Sequence, residues 1–212
     1  DAAESGIPPI RPAPRTGPLP LSYAQERMWV LDRLEPGNPM YNVPAAMWIR
    51  GPLDVELARR ALAEVVRRHE VLRTVYAETD AGPVQVVRED FEVALPVEEV
   101  PGVPREERDA VVRRFLLEES RVPIDLARGP VMRTRMLRFD AEEHALLITM
   151  HHIVVDGWSW GLFFYQWETL YVAFAHGEPS PLPPMPVQYG DYAVWQRELL
   201  SGERLEEHLA FW

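Results

Sequence analysis

The alternation of apolar and polar positions divides the chain into strands and amphipathic helices. Residues 22–34, SYAQERMWVLDRL, open on a serine suited to a helix N-cap and place Met28, Leu31 and Leu34 at helical spacing. NVPAAMWIRG (42–51) reads as a strand. From Asp54, the run VELARRALAEVVRRHEVLRTVY keeps Leu57, Ala61, Leu62, Val65, Val66 and Leu72 on one face, which predicts a single long helix to Tyr76. PVQVVRED (83–90) and EVALPVEEV (92–100) predict two strands, and REERDAVVRRFLLEES (105–120) a helix. PVMRTRMLRFD (130–140) and EHALLITMHHIV (143–154) predict a hairpin around Asp140 and Ala141. GWSWGLFFYQWETLYVAFAHG (157–177) predicts a helix stopped by Gly177, with Trp160, Phe163, Phe164, Trp167, Tyr171 and Phe174 as a core-facing stripe. A proline loop (179–186) and two further helices, QYGDYAVWQRELL and RLEEHLAFW, complete the chain.

Strands joined by both hairpins and helices predict an α+β fold with a mixed sheet flanked by helices. Six prolines between residues 8 and 20 read as a stiff extended linker, so residues 1–20 are assigned to a linker and 21–212 to the folded unit. Phe211 and Trp212, two aromatics at the chain end, suggest an architecture that continues beyond them. Composition narrows the chemistry. A net charge of -11 argues against a general nucleic-acid binder, and no apolar run is long enough to predict a membrane span. Cysteine is absent, which removes thiolate catalysis and fits a cytoplasmic protein. All 22 basic residues are arginine, which removes Schiff-base chemistry.

Candidate chemistry concentrates in HHIVVDGWSWG, residues 151–161. GWSWG matches the G-x-S-x-G elbow of serine hydrolases, and the predicted strand and helix flank it correctly. The acid and histidine that should follow Ser159 have no strand ends to stand on: Asp191 and His208 are present, but the residues after Ser159 read as proline loop and helices. Ser159 is therefore read as a first-turn helix residue. For the histidines, strand alternation places Leu146, Ile148, Met150 and His152 on one face and Leu147, Thr149 and His151 on the other. Only one imidazole can reach a given substrate, and no third ligand is spaced to make a metal site. An imidazole at a strand end suits proton transfer at an acyl centre. Asp156 would either orient that imidazole or hold the loop by pairing with an arginine.

These residues resemble a known family. MHHIVVDGWS (150–159) is similar to the signature of the condensation domains of nonribosomal peptide synthetases, within the chloramphenicol acetyltransferase-like superfamily. LSYAQERMW (21–29) resembles the family's opening motif, RRHEVLRTVY (67–76) its second, with Tyr76 where phenylalanine is usual, and YGDYAVWQ (189–196) the motif after the catalytic helix. Four motifs in order cover nearly the whole chain from about Pro18.

The resemblance implies peptide-bond formation between two thioester substrates carried on phosphopantetheine arms, with no cofactor bound by the domain itself. It implies His152 as the catalytic residue, His151 as support for the fold, Asp156 as a structural partner of Arg73, and Gly157 as the residue that keeps the turn tight for its N–H to approach the reacting groups. The implied partners are upstream and downstream peptidyl carrier proteins, a C-terminal lobe and an adenylation domain; no nucleic acid or membrane is implied, and the location is cytoplasmic. The paired histidines fit condensation rather than heterocyclisation. A full domain of this family has about twice this length, so the chain reads as its N-terminal lobe, expected to fold but to condense poorly alone. Two other readings are a CoA- or carrier-dependent acyltransferase of another kind and a non-catalytic carrier-docking module.

Overall fold

The computed structural model describes residues 7–212; the first six residues of the assigned linker, and the side chains of Glu203, Glu207 and His208, lie outside the described residues. Two sheets organise the rest. The larger has four strands, β2 (Asn42–Arg50), β7 (Glu143–His151), β6 (Met132–Arg138) and β5 (Val97–Glu99), in that order. β7 is antiparallel to both neighbours, and β5 runs parallel to β6. The smaller sheet is the antiparallel set β1 (Leu19–Pro20), β4 (Gly82–Val87) and β3 (Thr74–Thr79). The α+β class follows directly from the sequence pattern.

β7 is the central strand, buried on both faces, as its continuous apolar run requires. Leu146, Ile148 and Met150 join one core with α2 (Val55–Arg68) and α4 (Gly157–Ala175). Ala145 and Leu147 face the other way, into a core shared with α3 (Arg105–Ser120). The aromatic stripe of α4 behaves as its spacing predicts: Phe163, Trp167 and Phe174 are buried, and Trp160, Phe164 and Tyr171 pack against the same core. Ser22 caps α1 (Tyr23–Leu34) in a reciprocal box with Gln25. Two further helices, α5 (Tyr189–Leu199) and α6 (Gly202–Phe211), end the chain, where Phe211 and Trp212 are largely exposed.

Three expectations change. The long helix predicted to Tyr76 stops at Arg68; His69 caps it, a short 3-10 turn spans Glu70–Arg73, and Thr74 begins β3. The helical periodicity continues through Leu72, but Val71, Thr74 and Val75 are β-branched, and pairing of 74–79 with 82–87 outweighs the local pattern. The strand predicted over 92–100 is reduced to Val97–Glu99. Residues of the segment assigned to a linker also contact the folded unit. Leu19–Pro20 pair with β4, Trp195 Nε1 donates to Pro8 O at 2.7 Å, and Ala13 N donates to Asp191 Oδ1 at 2.9 Å.

Candidate active site

At the end of β7 the two histidines diverge. His151 is 2% exposed, while His152 stands exposed in the turn that follows. His152 N still donates to Tyr41 O at 2.8 Å, so the backbone at that point is anchored to the entry of β2. Its Nδ1 lies 2.8 Å from Val155 O. A carbonyl can only accept, so Nδ1 carries the proton, and in the neutral ring the lone pair is on Nε2. The loop thus fixes both the orientation and the tautomer of His152 with its own backbone. Asp156 does not perform that task.

His151 is turned into the protein. Its Nδ1 accepts from Ile153 N at 3.1 Å, and its ring tilts against Tyr41. Burial, with a smaller contribution from His152, pushes its pKa from 6.5 down to about 4. The unfolded chain binds a proton at His151 near pH 6.5 and the folded chain only near pH 4, so folding is disfavoured progressively as pH falls through that window. Urea midpoints measured from pH 7 to pH 4 should fall, and His151→Asn should flatten that part of the profile. An unchanged slope in the variant would remove His151 as the cause.

Asp156 is the N-cap of α4. Its Oδ1 accepts from Ser159 N at 2.8 Å and from Ser159 Oγ at 2.6 Å. Those bonds hold its carboxyl below the ordinary aspartate range. Ser159 is therefore bound to the cap carboxylate, and its hydroxyl hydrogen bond is to an acid, not to an imidazole. Asp156→Ala should cost about 1 kcal/mol of stability through the lost cap. Ser159→Ala should leave any acyl-transfer activity within a few fold, and its abolition would restore the nucleophile reading.

The expected partnership of Asp156 with Arg73 is not formed. Arg73 Nη1 donates to Arg88 O at 2.7 Å and meets Glu89 Oε1 at 3.2 Å. The reason is register: Thr74 pairs with Val87, which sets Arg73 beside Arg88 at the end of the β3–β4 hairpin. There it lines a separate cavity of about 460 Å³ with Phe91, Val93 and Met132. Gly157 is the first residue of α4, but its φ is not in the left-handed region and a β-carbon would meet nothing within 4 Å. Within this chain the turn does not need glycine there. Arg67 lies on the solvated face of α2, paired with Glu64, but Arg68 does not. It is buried and donates to Pro183 O at 2.7 Å and toward Gln166 Oε1 at 3.5 Å.

His152, Asp156 and Ser159 open onto one groove of about 480 Å³, whose other walls include His69, Gln188 and Tyr189. His69 escapes the sequence pattern because the continuous periodicity places it inside a helix. The signal present in the chain is a histidine at the helix end, before a β-branched run. Among the described residues, no three His, Asp or Glu side chains gather as a metal site. No described helix is long and apolar enough to cross a membrane.

The family model described as Condensation domain matches residues 16–212. The chain belongs to that family. Phosphinothricin tripeptide synthetase PhsC of Streptomyces viridochromogenes is 42% identical over 196 residues, covering 92% of this chain and 18% of that protein. Chondramide synthase of Chondromyces crocatus is 39% identical over 204 residues, covering 96% of this chain and 5% of that protein. Among solved structures, the X-domain from teicoplanin biosynthesis superposes with a TM-score of 0.83 at 30% identity, over 97% of this chain and 44% of that one. The first condensation domain of the CDA synthetase has the same fold, with a TM-score of 0.81 at 22% identity over 93% and 50% of the two chains. This condensation-family chain spans a small part of its curated relatives and half or less of these solved chains.

Proposed function

We propose that the chain supplies the histidine-bearing half of a site for peptide-bond formation between two carrier-bound thioester substrates. The observation that carries this reading is the exposed His152, its Nδ1 locked on Val155 O, leaving the Nε2 lone pair for chemistry in the groove. In the reaction, the α-amine of the acceptor attacks the thioester carbonyl of the donor. The N–C bond forms, the C–S bond breaks, the amine gives up a proton and the released thiol takes one. His152 Nε2 receives the amine's proton or holds the amine by a hydrogen bond as charge develops. His151, uncharged at neutral pH and buried, supports the strand end, and Asp156 holds the start of α4. The domain binds no cofactor of its own; phosphopantetheine arms of upstream and downstream carrier proteins deliver both substrates in the cytoplasm. A C-terminal lobe closes the groove, and an adjacent adenylation domain selects the residue to be loaded.

Two aminoacyl-loaded carrier proteins, incubated with the 212 residues alone and with the same residues joined to the second half of a condensation domain, test this. The joined form should yield dipeptide, and the 212 residues alone should yield little. Joined protein that forms none, while transferring acyl groups from CoA, would establish the wider acyltransferase alternative instead. A recruitment module is the second reading, favoured by the likeness to the teicoplanin X-domain, which is known in complex with OxyB. Protein that binds carriers but forms no product would support it.

A further inference from the structure

The segment that leads into the domain is tied to the groove wall by three consecutive residues of α5. Tyr189 Oη meets Ser22 Oγ at 3.1 Å. Gly190 admits Leu19 so closely that a β-carbon would stand 2.7 Å from Leu19 Cδ1. The Asp191 carboxylate, 2% exposed, accepts from Ala13 N at 2.9 Å and Arg15 Nη1 at 2.7 Å on one oxygen, and from Gln188 N at 2.6 Å on the other. Arg15 Nη2 reaches on to Glu70 Oε2 at 2.7 Å, and Glu70 N donates to Gln188 Oε1 at 3.1 Å. The contacts close a ring: Arg15, Glu70, Gln188, Asp191 and back to Arg15. Gln188 Nε2 also donates to Arg68 O at 2.8 Å, so Gln188 grips the backbone on both sides of His69.

The ring of His69 is fixed as well. Gln166 Oε1 faces Arg68 Nε at 3.5 Å and His69 Nε2 at 2.9 Å. A guanidinium only donates, so the amide atom is the oxygen, and His69 Nε2 carries its proton. In the neutral ring the lone pair is then on Nδ1, which no described residue engages. Burial lowers the pKa of His69 and keeps it neutral near pH 7.

We propose that Arg15, Gln188 and Asp191 are positioning residues that hold His69 in the groove beside His152, its Nδ1 a hydrogen-bond acceptor for an N–H of the bound substrate. This rests on the condensation reading of the groove. The 212-residue chain, labelled with 15N-histidine, tests it by long-range imidazole spectra with glycyl-pantetheine as the probe. At pH 7 His69 should show protonated Nε2 and bare Nδ1, and the probe should shift Nδ1. His69→Asn, which keeps a polar atom near the Nδ1 position, should bind the probe nearly as the parent does. His69→Gln, which keeps only the Nε2 position, should bind on the order of tenfold more weakly, the value of one hydrogen bond. Arg15→Ala should turn the single His69 tautomer into an averaged one; Arg33→Ala, which removes an exposed pair with Glu78, should not. A protonated Nδ1, equal binding by the two His69 variants, or an Arg15→Ala spectrum matching the parent would overturn the proposal. A probe that shifts His152 and not His69 would overturn it while leaving the groove reading in place. A probe that shifts neither would overturn both.

Discussion

Replacing His152 with alanine is expected to lower dipeptide formation by the joined domain roughly 10²–10⁴-fold, the usual contribution of a positioned acid–base group. The side chain is exposed and its one described hydrogen bond is to the Val155 carbonyl, so stability should move by about 1 kcal/mol or less. Circular dichroism and urea midpoints near the parent's, beside a collapsed rate, would separate chemistry from folding. A second variant adds another readout. Proton removal by Nε2 predicts that His152→Gln, which keeps a polar group but no base, loses the rate as His152→Ala does. Positioning alone predicts that His152→Gln retains much of the rate. A loss under about tenfold in His152→Ala would sink the assignment, because a single surface hydrogen bond would explain it.

Local pattern made the centre of this fold legible. β7 is buried from His144 to His151, so its period of two decides which side chains meet α2 and α4 and which meet α3, and that same alternation separates His151 from His152. What stayed hidden was long-range. Nothing near Arg73 says that its neighbour will be Arg88, because that follows from the β3–β4 register. The proline segment looks like linker in isolation; its partners, Asp191 and Trp195, lie 178 and 187 residues further along. Nothing near Arg68 announces its burial, which the proline loop allows by supplying the carbonyls of Leu182 and Pro183. The glycine of YGDYAVWQ is explained by the same kind of distant contact: Gly190 is small because Leu19 lies against it. Gly157 is not explained in that way, since this chain leaves open space around it.

The largest stability effect should come from Trp167→Ala, at about 3–5 kcal/mol, lowering Tm by roughly 6–20 °C for a chain of this size. Trp167 is 3% exposed, stacks on Tyr171 and donates Nε1 to Ala58 O at 3.1 Å, so it ties α4 to α2 through both packing and a polar contact. Its removal leaves a void at the helix–helix contact that the central sheet below cannot collapse to fill. Tyr165, on the same helix but 62% exposed, supplies the control: Tyr165→Ala should stay within about 0.5 kcal/mol. The consequence reaches the groove, because Gln166 immediately precedes Trp167 and accepts from His69 Nε2, while Asp156 caps the same helix. Partial unfolding in Trp167→Ala should therefore raise amide exchange at Ser159 together with α2, as one cooperative unit. Trp167→Phe, which keeps most of the ring volume and loses the bond to Ala58, should recover most of the stability. If it recovers none, the hydrogen bond rather than the packing holds the two helices together, and the groove's rigidity depends on that single contact.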